Sequence, residues 1–146
     1  MMTQEIETRI QQFLKIRCSA KDTINAMLEM EFVDYDIEHK SVTLAFPIKT
    51  WELNPAGNMH GGMICAALDV TMGCASFIYS KAAFTPTIQM SVNFVKGIKA
   101  GDTLFIQGIC DHAGSRMAQA RSIAYVKKSG EVAATGNGSY ALNTYK

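Results

Sequence analysis

One acidic residue lies inside the most apolar stretch of the chain. Residues 61–80 contain Asp69 as their only charged side chain. An ionised carboxylate in such surroundings costs free energy unless it is paired or solvated. Asp69 is therefore either a structural acid bonded to a neighbouring group or a carboxylate that lines a cleft and acts as general base or nucleophile. Burial alone favours neither interpretation, since perturbed acids mark functional sites only statistically.

A pair of glycines precedes this acid. Gly61 and Gly62 follow His60 at the expected start of a helix, where unpaired N–H groups point outward along the helix dipole. The pair fits a tight turn, or a site where a backbone N–H stabilises negative charge developing on a carbonyl oxygen. Without further context, a loop histidine such as His60 is more often structural than chemical. Asn54, six residues before His60, fits the role of an ordinary turn residue.

The spacing of these groups predicts an oligomer. Asp69 lies eight residues after Gly61, or about 12 Å along a helix axis. One carbonyl group cannot easily lie within about 3 Å of both. If both act on one substrate, two antiparallel helices related by a two-fold axis must bring Gly61 of one chain towards Asp69 of the other. We therefore expect a dimer with two composite sites.

The stretch that carries these groups is predicted to be a buried helix. About 20 apolar residues are enough to span a bilayer. However, Asp69 lies near the centre, small polar residues interrupt the run, and no basic flank or second span follows. A helix that is apolar on all sides in a globular domain forms its core.

The remainder of the sequence predicts strands around that helix. Segment 29–37 is expected to pair with the alternating segment 41–48, and residues 87–94 also alternate. Turns at 99–102, 112–115 and 128–130 lead into strands 103–111, 116–127 and 131–142, which predicts an antiparallel meander. Gly108, Gly136 and Gly138 indicate bends or close backbone approach. The result is an α+β domain with a curved sheet around one helix, preceded by an N-terminal helix in residues 1–20.

Composition limits the other possibilities. The 146 residues, 48% of them hydrophobic, fit one domain spanning 1–146. A net charge of +1 gives no basic footprint for nucleic acid. The four cysteines form no CxxC pair, which favours a reduced, cytoplasmic chain. The acidic, amphipathic N-terminus does not resemble a secretory signal, and we expect no membrane association.

The segment 54–62, with Asp69 after it, resembles the hot-dog-fold acyl-CoA thioesterases, in particular the phenylacetate-degradation (PaaI) type. The family pattern is N-x-x-G-x-x-H-G-G followed by an acidic residue nine positions after the histidine, and this sequence matches every position. Residues 87–96, then Gly101 and Asp102, resemble the strand after the central helix. The likeness covers roughly residues 28–142.

The resemblance implies a role for each matched residue. The Gly61 N–H would bind the thioester carbonyl oxygen, and Asn54 would assist there or at the attacking water. Asp69 would act as general base or direct nucleophile. Thr87 would help to orient the water, and His60 would support the loop near the leaving thiolate.

Coenzyme A binding and assembly are likewise implied by the resemblance. The nucleotide would lie near Gly62, Val95, Lys96, Ser115 and Arg116. The family assembles as a dimer of dimers, and its substrate carries coenzyme A, so no metal or separate cofactor is expected. Gln89 departs from the pattern because relatives often have an acidic residue there. The acyl group is not specified by the sequence.

Three alternatives remain at this point. Cys65, in the first turn of the helix, is a rival nucleophile, although no triad spacing accompanies it. A hot-dog dehydratase is a second rival, but its loop residues differ from those here. The third is a non-catalytic acyl-CoA binding or sensing module of the same fold.

Overall fold

The fold contains one long central helix and a single antiparallel sheet. The computed structural model describes residues 2–144, so Met1 of the predicted helix range and residues 145–146 of the predicted domain lie outside the described residues. The elements, in chain order, are α1 (Thr3–Arg17), α2 (Ile24–Met27), β1 (Glu31–Asp36), β2 (Ser41–Pro47), a short 3-10 turn (Thr50–Glu52), α3 (Gly61–Ile78), β3 (Thr87–Phe94), β4 (Thr103–Ala113), β5 (Met117–Val126) and β6 (Val132–Ala141).

The six strands form one sheet in the order β1-β2-β4-β5-β6-β3. Strands β1 and β2 pair as the predicted hairpin, and β4, β5 and β6 form a meander. The first of the three predicted turns was interpreted wrongly, because β3 does not pair with β4. Instead β3 pairs with β6 at the edge of the sheet, and β4 pairs with β2. The connection 95–102 therefore passes across the sheet rather than closing a hairpin.

Helix α3 is the core around which the sheet curves, as predicted for the hot-dog fold. From Val70 to Ile78 every residue of the helix is buried. It is long and apolar enough to cross a membrane, but 67% of that span is buried inside the fold. The first half is less covered: Gly62, Cys65, Ala66 and Asp69 form a stripe that retains solvent exposure. These positions recur every three to four residues, so they share one helix face.

Close contact between α3 and the sheet depends on a glycine in β4. A Cβ atom at Gly108 would lie 2.7 Å from the main-chain carbonyl oxygen of Thr71 in α3. Real Cβ atoms do not approach an oxygen so closely, so this position requires glycine. The predicted close backbone approach is confirmed here.

Helix α1 packs against the same domain rather than standing apart. Ile6, Ile10 and Phe13 on one of its faces are buried. Arg9 on the same helix donates hydrogen bonds to the main-chain oxygens of Phe77 (2.7 Å, from Nη2) and Ala82 (2.6 Å). These contacts join α1 to the C-terminal end of α3.

Candidate active site

The carboxylate of Asp69 is held by two hydroxyl groups. The Thr87 hydroxyl donates to Asp69 Oδ1 at 2.6 Å, and the Tyr140 hydroxyl donates to the same oxygen at 2.9 Å. Within residues 2–144, no donor lies within hydrogen-bond distance of the second oxygen, Oδ2. The carboxylate is thus oriented through one oxygen and leaves the other available to a water molecule or an electrophile.

The strand register explains why these two hydroxyls meet. Thr87, the first residue of β3, is the cross-strand partner of Tyr140 in β6. Both side chains therefore project from the same face of neighbouring strands, over the middle of α3. Burial, followed by the charge of Asp69, raises the pKa of Tyr140 far above its ordinary value, so the phenol stays protonated and remains a donor. Tyr140 was missed by the sequence analysis, because only the pairing of β3 with β6 brings it to the acid.

The start of α3 presents one free N–H group. His60 is the N-cap residue, and its Nδ1 accepts a hydrogen bond of 2.8 Å from the N–H of Gly62. In residues 2–144 no acceptor is positioned for the N–H of Gly61. The ring of Phe94 lies beside it, 3.4 Å from where a Cβ atom would stand. Of the predicted pair, Gly61 can therefore donate to a ligand, whereas the N–H of Gly62 is already used by His60.

Asn54 shapes the loop that leads into the helix. Its Oδ1 accepts hydrogen bonds from the N–H groups of Ala56 (3.0 Å) and Asn58 (3.1 Å), which is the turn role anticipated for it. Its Nδ2 is not used in these bonds and can still donate to a ligand. The side-chain oxygen is therefore structural, and only the amide NH₂ is available for chemistry.

The same loop is fixed by main-chain bonds to two other segments. The N–H of Met59 donates to the oxygen of Ile98 at 2.6 Å, and the N–H of His60 donates to the oxygen of Glu52 at 2.7 Å. Glu52 is itself almost fully buried, and its Oε2 has no hydrogen-bond partner. Burial raises the pKa of this carboxyl, while the main-chain N–H and charge of Lys49 act in the opposite direction.

The residues expected to bind coenzyme A form two separate groups in one chain. Val95 and Lys96 directly follow Phe94, the last residue of β3, whose ring lies beside Gly61, and Lys96 forms an ion pair with Glu131. Ser115 and Arg116 lie in the turn between β4 and β5, at the opposite end of the sheet. The last residue of β3 pairs with Ala134 of β6, and the first residue of β5 pairs with Ala141 of the same strand. These two positions are seven residues apart, which corresponds to about 23 Å along β6. One chain does not bring these two groups together.

Gln89 and Cys65, which the sequence singled out, have structural roles in this chain. Gln89 donates through Nε2 to the Ser139 hydroxyl at 3.2 Å, and that hydroxyl donates to Gln119 at 2.7 Å, so an amide network occupies this position. Burial, then the charge of Asp69, raises the pKa of Cys65. A raised pKa keeps the thiol protonated, which argues against Cys65 as the nucleophile.

A cavity of about 330 Å³ opens beside the acid. Asp69, Thr87 and Tyr140 line one part of it, and residues of α1, α2, α3 and the segment after α3 line the remainder. Across the described range 2–144, no cluster of three or more His, Cys, Asp or Glu residues is arranged to hold a metal ion. The arrangement is a carboxylate with one free oxygen at the mouth of a mainly apolar pocket, which suits attack on an uncharged carbonyl carbon.

Comparison with known proteins identifies the family. A family model described as "Thioesterase superfamily" matches residues 56–133, more than half of the chain. No curated protein matches the sequence. Several solved structures share the fold.

Three of these structures illustrate the likeness. The smu.793 protein of Streptococcus mutans UA159, bound to acetyl CoA, has a TM-score of 0.71 and 24% identity, over 81% of this chain and 92% of that one. The Escherichia coli PaaI protein of the phenylacetic acid degradation operon has a TM-score of 0.79 and 15% identity, over 94% and 95%. Zebrafish thioesterase superfamily member 2 has a TM-score of 0.80 and 18% identity, over 92% and 96%. The predicted PaaI-type hot-dog fold is confirmed, and the chain belongs to the thioesterase superfamily as a thioester hydrolase.

Proposed function

We propose that the protein hydrolyses acyl-CoA thioesters to a free acid and coenzyme A. The observation that carries the proposal is the Asp69 carboxylate, anchored through Oδ1 by two hydroxyls and free at Oδ2 beside the cavity. The structural neighbour that holds acetyl CoA supports this substrate class.

The chemistry requires few groups. The N–H of Gly61 stabilises the negative charge that develops on the carbonyl oxygen, an effect usually worth about 10²–10³ in rate for one donor. Oδ2 of Asp69 takes a proton from water as the water oxygen attacks the carbonyl carbon, or attacks that carbon itself. The C–S bond then breaks, and the thiolate leaves and takes up a proton. After direct attack the acyl group remains on Asp69 as an anhydride, which water hydrolyses to the free acid and the regenerated carboxylate. A thiolate is a good leaving group, so neither a strong general acid nor a metal ion is required.

The site is proposed to be shared between two chains. Gly61 and Asp69 lie on one continuous helix, about 12 Å apart along its axis, so they cannot both contact one carbonyl. The half-exposed stripe of α3 and the edge strand β3 next to it offer a surface for a second copy. The apolar side chains of Ile88 and Phe94 on β3 are more than half exposed, which favours a partner there.

The same arrangement accommodates the two separated nucleotide-binding groups. Lys96, just beyond β3, and Arg116, at the far end of the sheet, would both bind the phosphates of one coenzyme A if they come from different chains. By resemblance we propose a dimer of dimers that acts in the cytoplasm, with coenzyme A entering only as part of the substrate.

Thiol release from a panel of aryl and alkyl acyl-CoAs tests the proposal. Asp69→Asn is expected to lower kcat by at least about 10²-fold, because an amide is not a base at neutral pH. The amide oxygen can still accept from both hydroxyls, so the fold should be retained. Asp111→Asn, which alters an exposed carboxylate paired with Arg121, is the matched control and should keep full activity. Equal turnover by wild type and Asp69→Asn would overturn the assignment.

A single turnover in H₂¹⁸O separates the two roles of Asp69. Direct attack forms an anhydride between Asp69 and the acyl group, and attack of water on the Asp69 carbonyl of that anhydride places ¹⁸O in the side chain. General-base catalysis places all ¹⁸O in the released acid. Label found by mass spectrometry in the peptide that contains Asp69 therefore shows the anhydride route. Acyl-CoA that raises the Tm without any thiol release would instead favour the non-catalytic binding module.

A further inference from the structure

The cavity beside Asp69 extends away from the reacting groups along α3. Gly73 in its wall is four residues beyond Asp69, about 6 Å further along the axis. Phe13 of α1 and Phe84 of the segment after α3 also line it. If the thioester carbonyl lies at Asp69, the acyl chain must point into this space, so the far end of the cavity contacts the end of the acyl group.

A cation lies at that far end. Arg17 of α1 lines the cavity, with its guanidinium carbon 4.7 Å from the centroid of the Phe84 ring and 5.5 Å from that of Phe77. Its Nη2 donates to the main-chain oxygen of Ala83 at 2.8 Å. No carboxylate in residues 2–144 lies within ion-pair distance of it. The guanidinium therefore has donors to spare and no counter-ion.

This lack of a counter-ion has an energetic consequence. Partial burial lowers the pKa of Arg17, because desolvation disfavours the charged form of the guanidinium. A guanidinium presents five N–H donors in a planar fork that matches a carboxylate. A ligand carboxylate at the end of the cavity would supply the missing counter-ion.

We propose that the cavity selects acyl groups that end in a carboxylate, so that the substrates are CoA monothioesters of dicarboxylic acids, with Arg17 binding the free carboxylate. This inference rests on the proposed function, since Asp69 marks the thioester end. A saturated chain advances roughly 1.3 Å per carbon, given C–C bonds near 1.5 Å. About 6 Å along the axis reaches the level of Gly73, and about 12 Å reaches Phe77, whose ring Arg17 contacts. Because the carboxylate–guanidinium hydrogen bond takes up about 3 Å of the longer distance, this range suits diacids of about five to eight carbons.

Arg9 provides a matched control for a purely structural role of Arg17. Both arginines lie on α1, stack on aromatic rings and donate to main-chain oxygens of the segment after α3. Arg9 is closer to a ring, 3.9 Å from the Phe77 centroid, and makes more carbonyl bonds. Only Arg17 lines the cavity beside Asp69. Loss of packing should therefore affect both arginines, whereas loss of a carboxylate partner should affect Arg17 alone.

The test compares acyl-CoAs of equal length that differ only at the end of the chain. Glutaryl-CoA with pentanoyl-CoA, adipoyl-CoA with hexanoyl-CoA, and suberoyl-CoA with octanoyl-CoA are assayed for kcat/KM. Wild type should prefer the carboxylated member of at least one pair. Arg17→Met should reduce that preference about 10–100-fold, the range expected for a charge-assisted hydrogen bond, mainly through KM. Arg9→Met should preserve it, and Arg17→Lys should restore part of it.

Either of two results would overturn the inference: wild type showing no preference in any pair, or Arg9→Met changing the preference as much as Arg17→Met. The same pairs are also tested for their effect on the Tm of the Asp69→Asn variant. Hydrolysis without preference would refute the diacid assignment and leave the thioesterase assignment intact. No hydrolysis, with selective and Arg17-dependent stabilisation by the carboxylated members, would refute the hydrolytic function and support the diacid site.

Discussion

Mild oxidation is expected to join two chains through Cys65. If the N–H of Gly61 and the carboxylate of the partner's Asp69 act on one carbonyl, the two α3 helices run antiparallel with residue 61 opposite residue 69. The residue halfway between them is 65, so the two copies of Cys65 must face each other across the two-fold axis. Cys65 belongs to the half-exposed stripe of α3, which makes it available for such a contact.

The expected separation follows from helix geometry. Packed helices lie 8–10 Å apart, and each Cα lies about 2.3 Å from its own axis, so facing Cα atoms would be roughly 3.4–5.4 Å apart. A disulfide needs about 4.4–6.8 Å between Cα atoms. The two ranges overlap, so a bond can form with little movement of the backbone. A composite site therefore predicts a cross-linkable pair, whereas a site within one chain does not require one.

The assay is non-reducing gel electrophoresis after diamide treatment at mildly alkaline pH, because burial and the charge of Asp69 raise the pKa of the Cys65 thiol. Wild type should give a covalent dimer that dithiothreitol reverses. Cys65→Ser should abolish it, while Cys18→Ser, which removes the other partly exposed cysteine, should not. Cys74 and Cys110 are buried and should stay unreactive. Wild type that sediments as a dimer but forms no Cys65 cross-link, even with a short bis-maleimide, would refute the antiparallel arrangement.

Three further predictions concern activity and stability. Tyr140→Phe removes one of the two hydroxyls that hold Asp69 and should lower kcat about tenfold or more, with a smaller change in KM. Steady-state kinetics measures both constants. An unchanged kcat would show that the Thr87 hydroxyl alone is sufficient to orient Asp69. The pKa of Glu52 is raised above its ordinary 4.5, so the folded chain holds a proton that the unfolded chain releases, and the free energy of unfolding falls as pH rises through the window above 4.5. Glu52→Gln should flatten that part of a Tm–pH curve, whereas an unchanged slope would mean that this carboxyl is not responsible. Gly108→Ala places a Cβ 2.7 Å from a main-chain oxygen of α3 and should cost about 1–3 kcal/mol in chemical denaturation, while Gly114→Ala in an exposed turn should cost much less.

Local patterns in the sequence predicted most elements but not how they pair. The apolar run gave α3 to within two residues of its end, and alternation located the strand at 87–94. The placement of β3 beside β6 was missed because a turn at 99–102 suggests a hairpin, and nothing within that segment reports contacts made elsewhere. The connection instead bonds to the loop before α3, through Ile98 to Met59 and the bridge between Asn58 and Lys99. Tertiary contact with that loop prevailed over local pairing.

The site residues also differ in whether a single sequence segment predicts them or strand pairing brings them together. Asp69, Gly61 and His60 could be selected from one segment, since helix geometry fixes their relation. Tyr140 lies 71 residues from Asp69 and reaches it only through the register of β3 on β6. A buried tyrosine in a strand is common, and no local spacing distinguishes this one from an ordinary core residue.

The structure also changes how the glycine pair should be understood. The His60 side chain accepts a hydrogen bond from the N–H of Gly62 and leaves the N–H of Gly61 free. His60 therefore determines which of the two N–H groups can bind a ligand, in addition to supporting the loop. Each α3 helix therefore has one free N–H donor at its start and one anchored carboxylate in its middle. The two groups are too far apart to contact the same carbonyl group. A single chain thus contains two half-sites. In the proposed composite site, substrate recognition would be divided in the same way, because the cavity that leads from Asp69 to Arg17 lies within one chain and the Gly61 donor would come from the other. Changes at Arg17 should therefore alter which acyl group is chosen, whereas changes at the helix start should alter the rate for all of them.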